Sequence, residues 1–159
     1  MKIIFYLFAS FQLLYAAAQG PYQINLDLTA SKEDRLQVVM NLPDIQEDEV
    51  EFHLPKIVPG TYRISDFGKF VSTFDAFDHL GNPLEVSKIS VNKWLISGKP
   101  SRIEYWINDT FDRMEGYDED FLFEPGGTSF EADRNVFVLN NFGIIGYIDG
   151  YKEIPFELR

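Results

Sequence analysis

The sequence has no cysteine. This excludes disulfide staples, thiolate catalysis, cysteine-ligated zinc and lipid anchoring through an N-terminal cysteine. Histidine is nearly as scarce, with only His53 and His79. His53 runs into Leu54-Pro55 and His79 into Leu80-Gly81. Neither begins a His-Glu-x-x-His helix, in which two imidazoles on one face bind zinc and the Glu polarises a water. No Gly-x-Ser-x-Gly elbow occurs either, so a nucleophilic triad has no visible seat. Positive charge is short: 14 Lys and Arg stand against 25 Asp and Glu, a net −11. Phosphate binding needs a basic patch, so neither nucleic acid nor an anionic membrane is expected as a partner. Taken alone, the chain reads as catalytically silent.

Long apolar runs are confined to the start. Lys2 supplies a positive n-region, Ile3–Tyr15 an apolar stretch broken by Ser10 and Gln12, and Ala16-Ala17-Ala18 a small-residue cleavage site. The stretch falls short of the roughly 20 residues that span a bilayer. Residues 1–18 are therefore expected to be a helical signal peptide cleaved before Gln19, leaving an exported product, periplasmic or secreted, with no membrane span.

Aromatic residues, by contrast, reach 16% of the chain and include 15 Phe, a composition suited to packed sheets. Alternation of apolar and polar residues is the dominant pattern. Tyr22, Ile24, Leu26 and Leu28 lie on one face of a first strand; Leu36, Val38, Met40 and Leu42 line its partner. Further strand signals occupy Val50–Leu54, Val71–Phe77, Leu84–Ile89, Asn92–Ile96 and Arg102–Ile107. These seven recur at about 8–12-residue spacing, and residues 19–159 show no helical period. The expected fold is all-β, an antiparallel β-sandwich of about 7–9 strands in one domain over residues 19–159.

Two stretches interrupt the alternation. In Ile57-Val58-Pro59-Gly60-Thr61-Tyr62-Arg63-Ile64-Ser65-Asp66-Phe67-Gly68-Lys69, Pro59-Gly60 dictates a turn and Tyr62, Arg63 and Phe67 follow in quick succession. A loop of this kind either carries the chain between sheets or presents a recognition surface. The second interruption, residues 109–127, is rich in acid, including Asp109, Asp112, Glu115 and Asp118. A solvated acidic loop and a Ca²⁺ site are both open readings, although the ligand offsets of an EF-hand are missing.

Pro59-Gly60-Thr61-Tyr62-Arg63-Ile64-Ser65-Asp66-Phe67 resembles the Pro-Gly-Ser-Tyr-x-Ile-Arg-x-Phe segment of zinc peptidases of the PDZ-containing glycyl aminopeptidase type, metallopeptidase family 61. Residues 121–147 resemble a second segment of the same family, with Pro125-Gly126-Gly127-Thr128 and Asn135-Val136-Phe137-Val138-Leu139-Asn140 as its marks. Ile57 departs from the family pattern, which commonly has Trp there. The resemblance extends from Tyr22 to Arg159 and implies the family's N-terminal β-domain, which carries no metal.

It further implies a zinc-bearing catalytic domain elsewhere in the polypeptide as intramolecular partner, with a peptide as substrate. Tyr62, Arg63, Phe67, Thr128 and Asn140 become candidates for facing that domain or its cleft. The ending of the chain in an alternating segment, Glu153–Arg159, is read as a fragment of something longer. An alternative is a stand-alone module for carbohydrate, with Trp94, Tyr105, Trp106 and Tyr117 as stacking candidates.

Overall fold

The computed structural model describes residues 20–33, 35–111, 126–131 and 134–159. The expected signal segment, Tyr117 and most of the acidic stretch lie outside these residues. The described chain is mostly β-strand, with one short helix. In chain order the strands are β1 (Tyr22–Asn25), β2 (Arg35–Asn41), β3 (Glu49–His53), β4 (Val71–Phe77), β5 (Glu85–Ser90), β6 (Lys93–Ser97) and β7 (Arg102–Asn108). Then come β8 (Ser129–Glu131), β9 (Val136–Val138), helix α1 (Asn141–Ile144), β10 (Tyr147–Ile148) and β11 (Phe156–Leu158).

One sheet has the order β11-β1-β2-β7-β4 and the other β10-β3-β6-β5, while β8 and β9 form a separate hairpin. The expected strands are all present, but four short ones after residue 128 bring the total among the described residues to eleven. Pairing is not uniformly antiparallel: β11 lies parallel to β1, with Tyr22 opposite Phe156. The first strand is shorter than its apolar alternation implied. Asp27 accepts the Thr29 N–H at 2.9 Å and starts a 3₁₀ turn that takes Leu28 out of the sheet.

Register explains the core. β2 and β7 run antiparallel with Leu36 opposite Ile107, Val38 opposite Tyr105 and Met40 opposite Ile103, so six buried side chains share one face. In the second sheet Val50 faces Ile96 and Phe52 faces Trp94. Aromatic rings join the sheets: Phe52 of β3 lies 5.0 Å from Phe74 of β4, and Phe74 stacks on Trp94 of β6 at 4.9 Å. One core cluster therefore spans both sheets.

Trp94 and Tyr105 are buried in this core, which corrects their candidacy as sugar platforms. Trp106 is half-buried under the Arg35 guanidinium, 5.7 Å from its ring centre. Asp109 is corrected as well. Expected in the solvated loop, it is buried, and its carboxylate accepts the Phe111 N–H at 2.6 Å and the Phe130 N–H at 2.8 Å.

Candidate functional site

The loop between β3 and β4 is closed at its base by a single carbonyl. Lys56 O accepts the Ser65 N–H at 2.7 Å and the Asp66 N–H at 3.1 Å. Within it, Thr61 turns back on Val58 O through both its N–H and its hydroxyl. Gly60 takes φ +91°, as the Pro-Gly pair leads one to expect. Tyr62 at φ +54° and Asp66 at φ +51° are also left-handed, which is uncommon for a non-glycine residue. Val58 packs against buried Phe67 and Phe70, so the loop has an apolar foot.

Asn92, buried in the turn between β5 and β6, locks that foot. Its Oδ1 accepts the Gly68 N–H at 2.9 Å, its Nδ2 donates to Asp66 Oδ1 at 2.6 Å, and its carbonyl accepts the Leu54 N–H. Lys88 adds a bond from Nζ to Gly68 O at 2.9 Å while its ammonium lies over the Trp94 ring. Burial holds its pKa below the ordinary lysine value. Gly68 permits this approach, because a Cβ there would sit on the Val91 carbonyl oxygen.

The two sequence stretches that carry the family resemblance meet in space. A Cβ on Gly143 would lie 2.9 Å from Phe67 Cδ1, so α1 rests its glycine on the Phe67 ring. Asn140 caps α1 by accepting the Phe142 N–H, and its Nδ2 donates to Gly126 O at 3.0 Å. Thr128 Oγ1 accepts the Asn140 N–H at 3.0 Å. Phe67, α1, Asn140 and Thr128 thus form one contiguous support, with Tyr62 and Arg63 carried on the loop above Phe67. The five candidates do not share one environment. Tyr62 is 96% exposed, Arg63 and Asn140 are half-buried, and Phe67 and Thr128 are buried within the chain.

Sequence reasoning missed Asn92, Asp66 and Gly143. Asn92-Lys93 reads as the start of a strand, and nothing in it announces a partner 24 residues earlier. It also missed the exposed apolar residues of the loop and of α1: Ile64 is 68% exposed, Ile57 42% and Phe142 44%. Ile57, at the position where Trp was commoner, remains at the surface.

Elsewhere, an open cleft of about 550 Å³ is lined by Glu47, Glu49, Glu51, Leu95, Asp149 and Tyr151. His53 Nε2 and Lys93 Nζ both reach Glu51 Oε2, at 2.8 and 2.9 Å. The bond from Lys93, then that from His53, holds the Glu51 carboxyl below its ordinary range. Among the described residues no three of His, Cys, Asp and Glu converge as a metal-holding group. No helix among them is long and apolar enough to cross a membrane.

The arrangement defines a class: a β-rich domain that carries a braced loop tipped by the exposed Tyr62. Residues 22–159 match the family described as the Peptidase M61 N-terminal domain, and the chain belongs to that family. Among solved structures it is similar to the aminopeptidase N family protein from Idiomarina loihiensis, at 25% identity and a TM-score of 0.58. That likeness covers 86% of this chain and 21% of the other, so the chain spans about a fifth of that relative. No curated protein matches the sequence.

Proposed function

We propose that this chain is the non-catalytic N-terminal β-domain of an exported zinc aminopeptidase, flanking a catalytic domain and helping to wall the cleft that receives a peptide. The family match along residues 22–159 carries the reading. The aminopeptidase N family protein from Idiomarina loihiensis, of which the likeness covers only 21%, supports it by leaving room for further domains. Zinc belongs in this proposal to the catalytic domain, since the described residues of this chain converge on no ligand set.

Tyr62 and Arg63 would meet that domain directly. Phe67, Thr128 and Asn140 would act by holding the loop and α1 in place. The acidic surface of the chain, net −11, would favour the cationic amino end of a peptide. Residues 1–18 would direct export, with the domain beginning at Gln19.

The test is to read the coding sequence beyond the Arg159 codon and to assay residues 19–159 alone. The expected outcome is a downstream His-Glu-x-x-His and no aminopeptidase turnover by the isolated chain with added zinc. Turnover by the isolated chain, or a stop codon after Arg159, would overturn the reading. Export is checked separately by N-terminal sequencing of the secreted product, which should begin at Gln19.

A further inference from the structure

The loop that bears Tyr62 is charged against the trend of the chain. Residues 55–74 hold three cations, Lys56, Arg63 and Lys69, and a single acid, Asp66, in a protein of net −11. That acid is already engaged by Asn92 Nδ2 at 2.6 Å. Lys88 brings a fourth cation against the loop through Gly68 O. Among these cations in sequence, Tyr62 is 96% exposed and Ile64 68%, Tyr62 in a left-handed conformation. Exposed apolar residues rimmed by charge mark contact surfaces, and left-handed non-glycine residues persist only where the surroundings over-determine them. Here the Lys56, Thr61 and Asn92 bonds do so.

We propose that this loop is a cationic plug whose partner is an acid-rimmed apolar pocket on the adjoining domain of the same polypeptide, Tyr62 entering the pocket and Lys56 and Lys69 meeting its rim. The proposal rests on the domain reading above and adds the chemistry of the opposing face. Charge complementarity selects the occupant. An island of positive charge on an acidic protein fits an anionic, not a cationic, surface. An anionic membrane is disfavoured because the remainder of the chain would be repelled from it. A second copy could offer its acidic cleft around Leu95. That pairing is heterologous, however, and would grow into open chains unless its rotation closed a ring.

The experiment uses the parent polypeptide and the isolated chain, each as wild type, Tyr62→Ala, Lys56→Glu and, as a surface control, Leu80→Ala. Limited proteolysis of the linker that joins this domain to the adjoining one is followed at low and high salt, beside thermal unfolding of the isolated chain. Tyr62→Ala and Lys56→Glu should each speed linker cleavage about tenfold, and high salt should do the same to the wild type. Leu80→Ala should not, and the isolated chain should keep its melting temperature in all variants.

Unchanged cleavage in both loop variants would overturn the plug while leaving the peptidase reading intact. So would concentration-dependent self-association of the isolated chain that Lys56→Glu abolishes, since the occupant would then be a second copy. A parent polypeptide without His-Glu-x-x-His whose cleavage still responds to Tyr62→Ala would overturn the peptidase reading and keep the plug.

Discussion

Tyr62 and Gly143 bracket what single residues do here, one by its exposure and the other by its lack of a side chain. The left-handed backbone at Tyr62 costs a non-glycine residue on the order of 1 kcal/mol. Glycine relieves that strain but adds freedom to the unfolded chain, so the two effects partly cancel. Tyr62→Gly should therefore stabilise the isolated chain by about 0.5 kcal/mol in urea titration, the opposite of what removing a packed aromatic does. Gly143→Ala meets the Phe67 ring, which is buried and has nowhere to go. Overpacking of that kind costs about 1–3 kcal/mol, and the urea midpoint should fall accordingly.

Among elements, the 3₁₀ turn Phe67–Phe70 and the short helix α1 are individually too short to be stable and borrow their order from neighbours. Asn92 supplies it for the first. Replacing Asn92 with Ala would orphan the buried Gly68 N–H and release Asp66, a loss of roughly 1–3 kcal/mol. Amide exchange should quicken through residues 56–70 while β2 and β7 stay protected. Comparable acceleration in all strands would show that Asn92 is a global rather than a local support. Tyr105 does the corresponding service for α1, donating to Ile144 O at 2.5 Å. β11 covers the outer edge of β1 and stacks Phe156 on Tyr22 at 4.4 Å. Deleting residues 156–159 should expose that edge and lower the melting temperature of the isolated chain.

The whole molecule titrates at both ends of the pH scale. Asp27, Glu47, Glu51 and Asp78 are all held below their ordinary values, chiefly by hydrogen bonds from Thr29, Tyr151, Lys93 and Asn82. A lowered carboxyl contributes stability above its unfolded value, 3.8 for Asp and 4.5 for Glu, and loses it as pH falls through the folded one. At the other end, burial pushes Tyr22 up from 10.0 to about 12, and raises Tyr105 too. The neutral phenol is then favoured by folding, so its contribution is complete below pH 10 and lost between 10 and about 12. Urea midpoints should be level from about pH 5 to 9 and fall on either side. Tyr22→Phe should flatten the alkaline limb, at the expense of the bond in which Tyr22 Oη accepts the Ile148 N–H. An alkaline limb unchanged in that variant would place the titration elsewhere.

The strands and their inward faces were legible because a side-chain period of two is local: Leu36, Val38 and Met40 declare their face without knowing what they meet. The family was legible from Pro59–Phe67 and residues 121–147 as matching stretches. Tertiary structure alone decided that Phe67 lies under Gly143, that Asn92 ties the loop, that Asp109 is buried and that β11 runs parallel to β1. Each of these joins residues well separated along the chain, and a sequence states its local preferences but not which distant groups satisfy one another's hydrogen bonds and contacts. Sequence by itself determined a two-faced β-chain with a Pro-Gly loop; folding decided that this loop would be braced from below and bare at its tip.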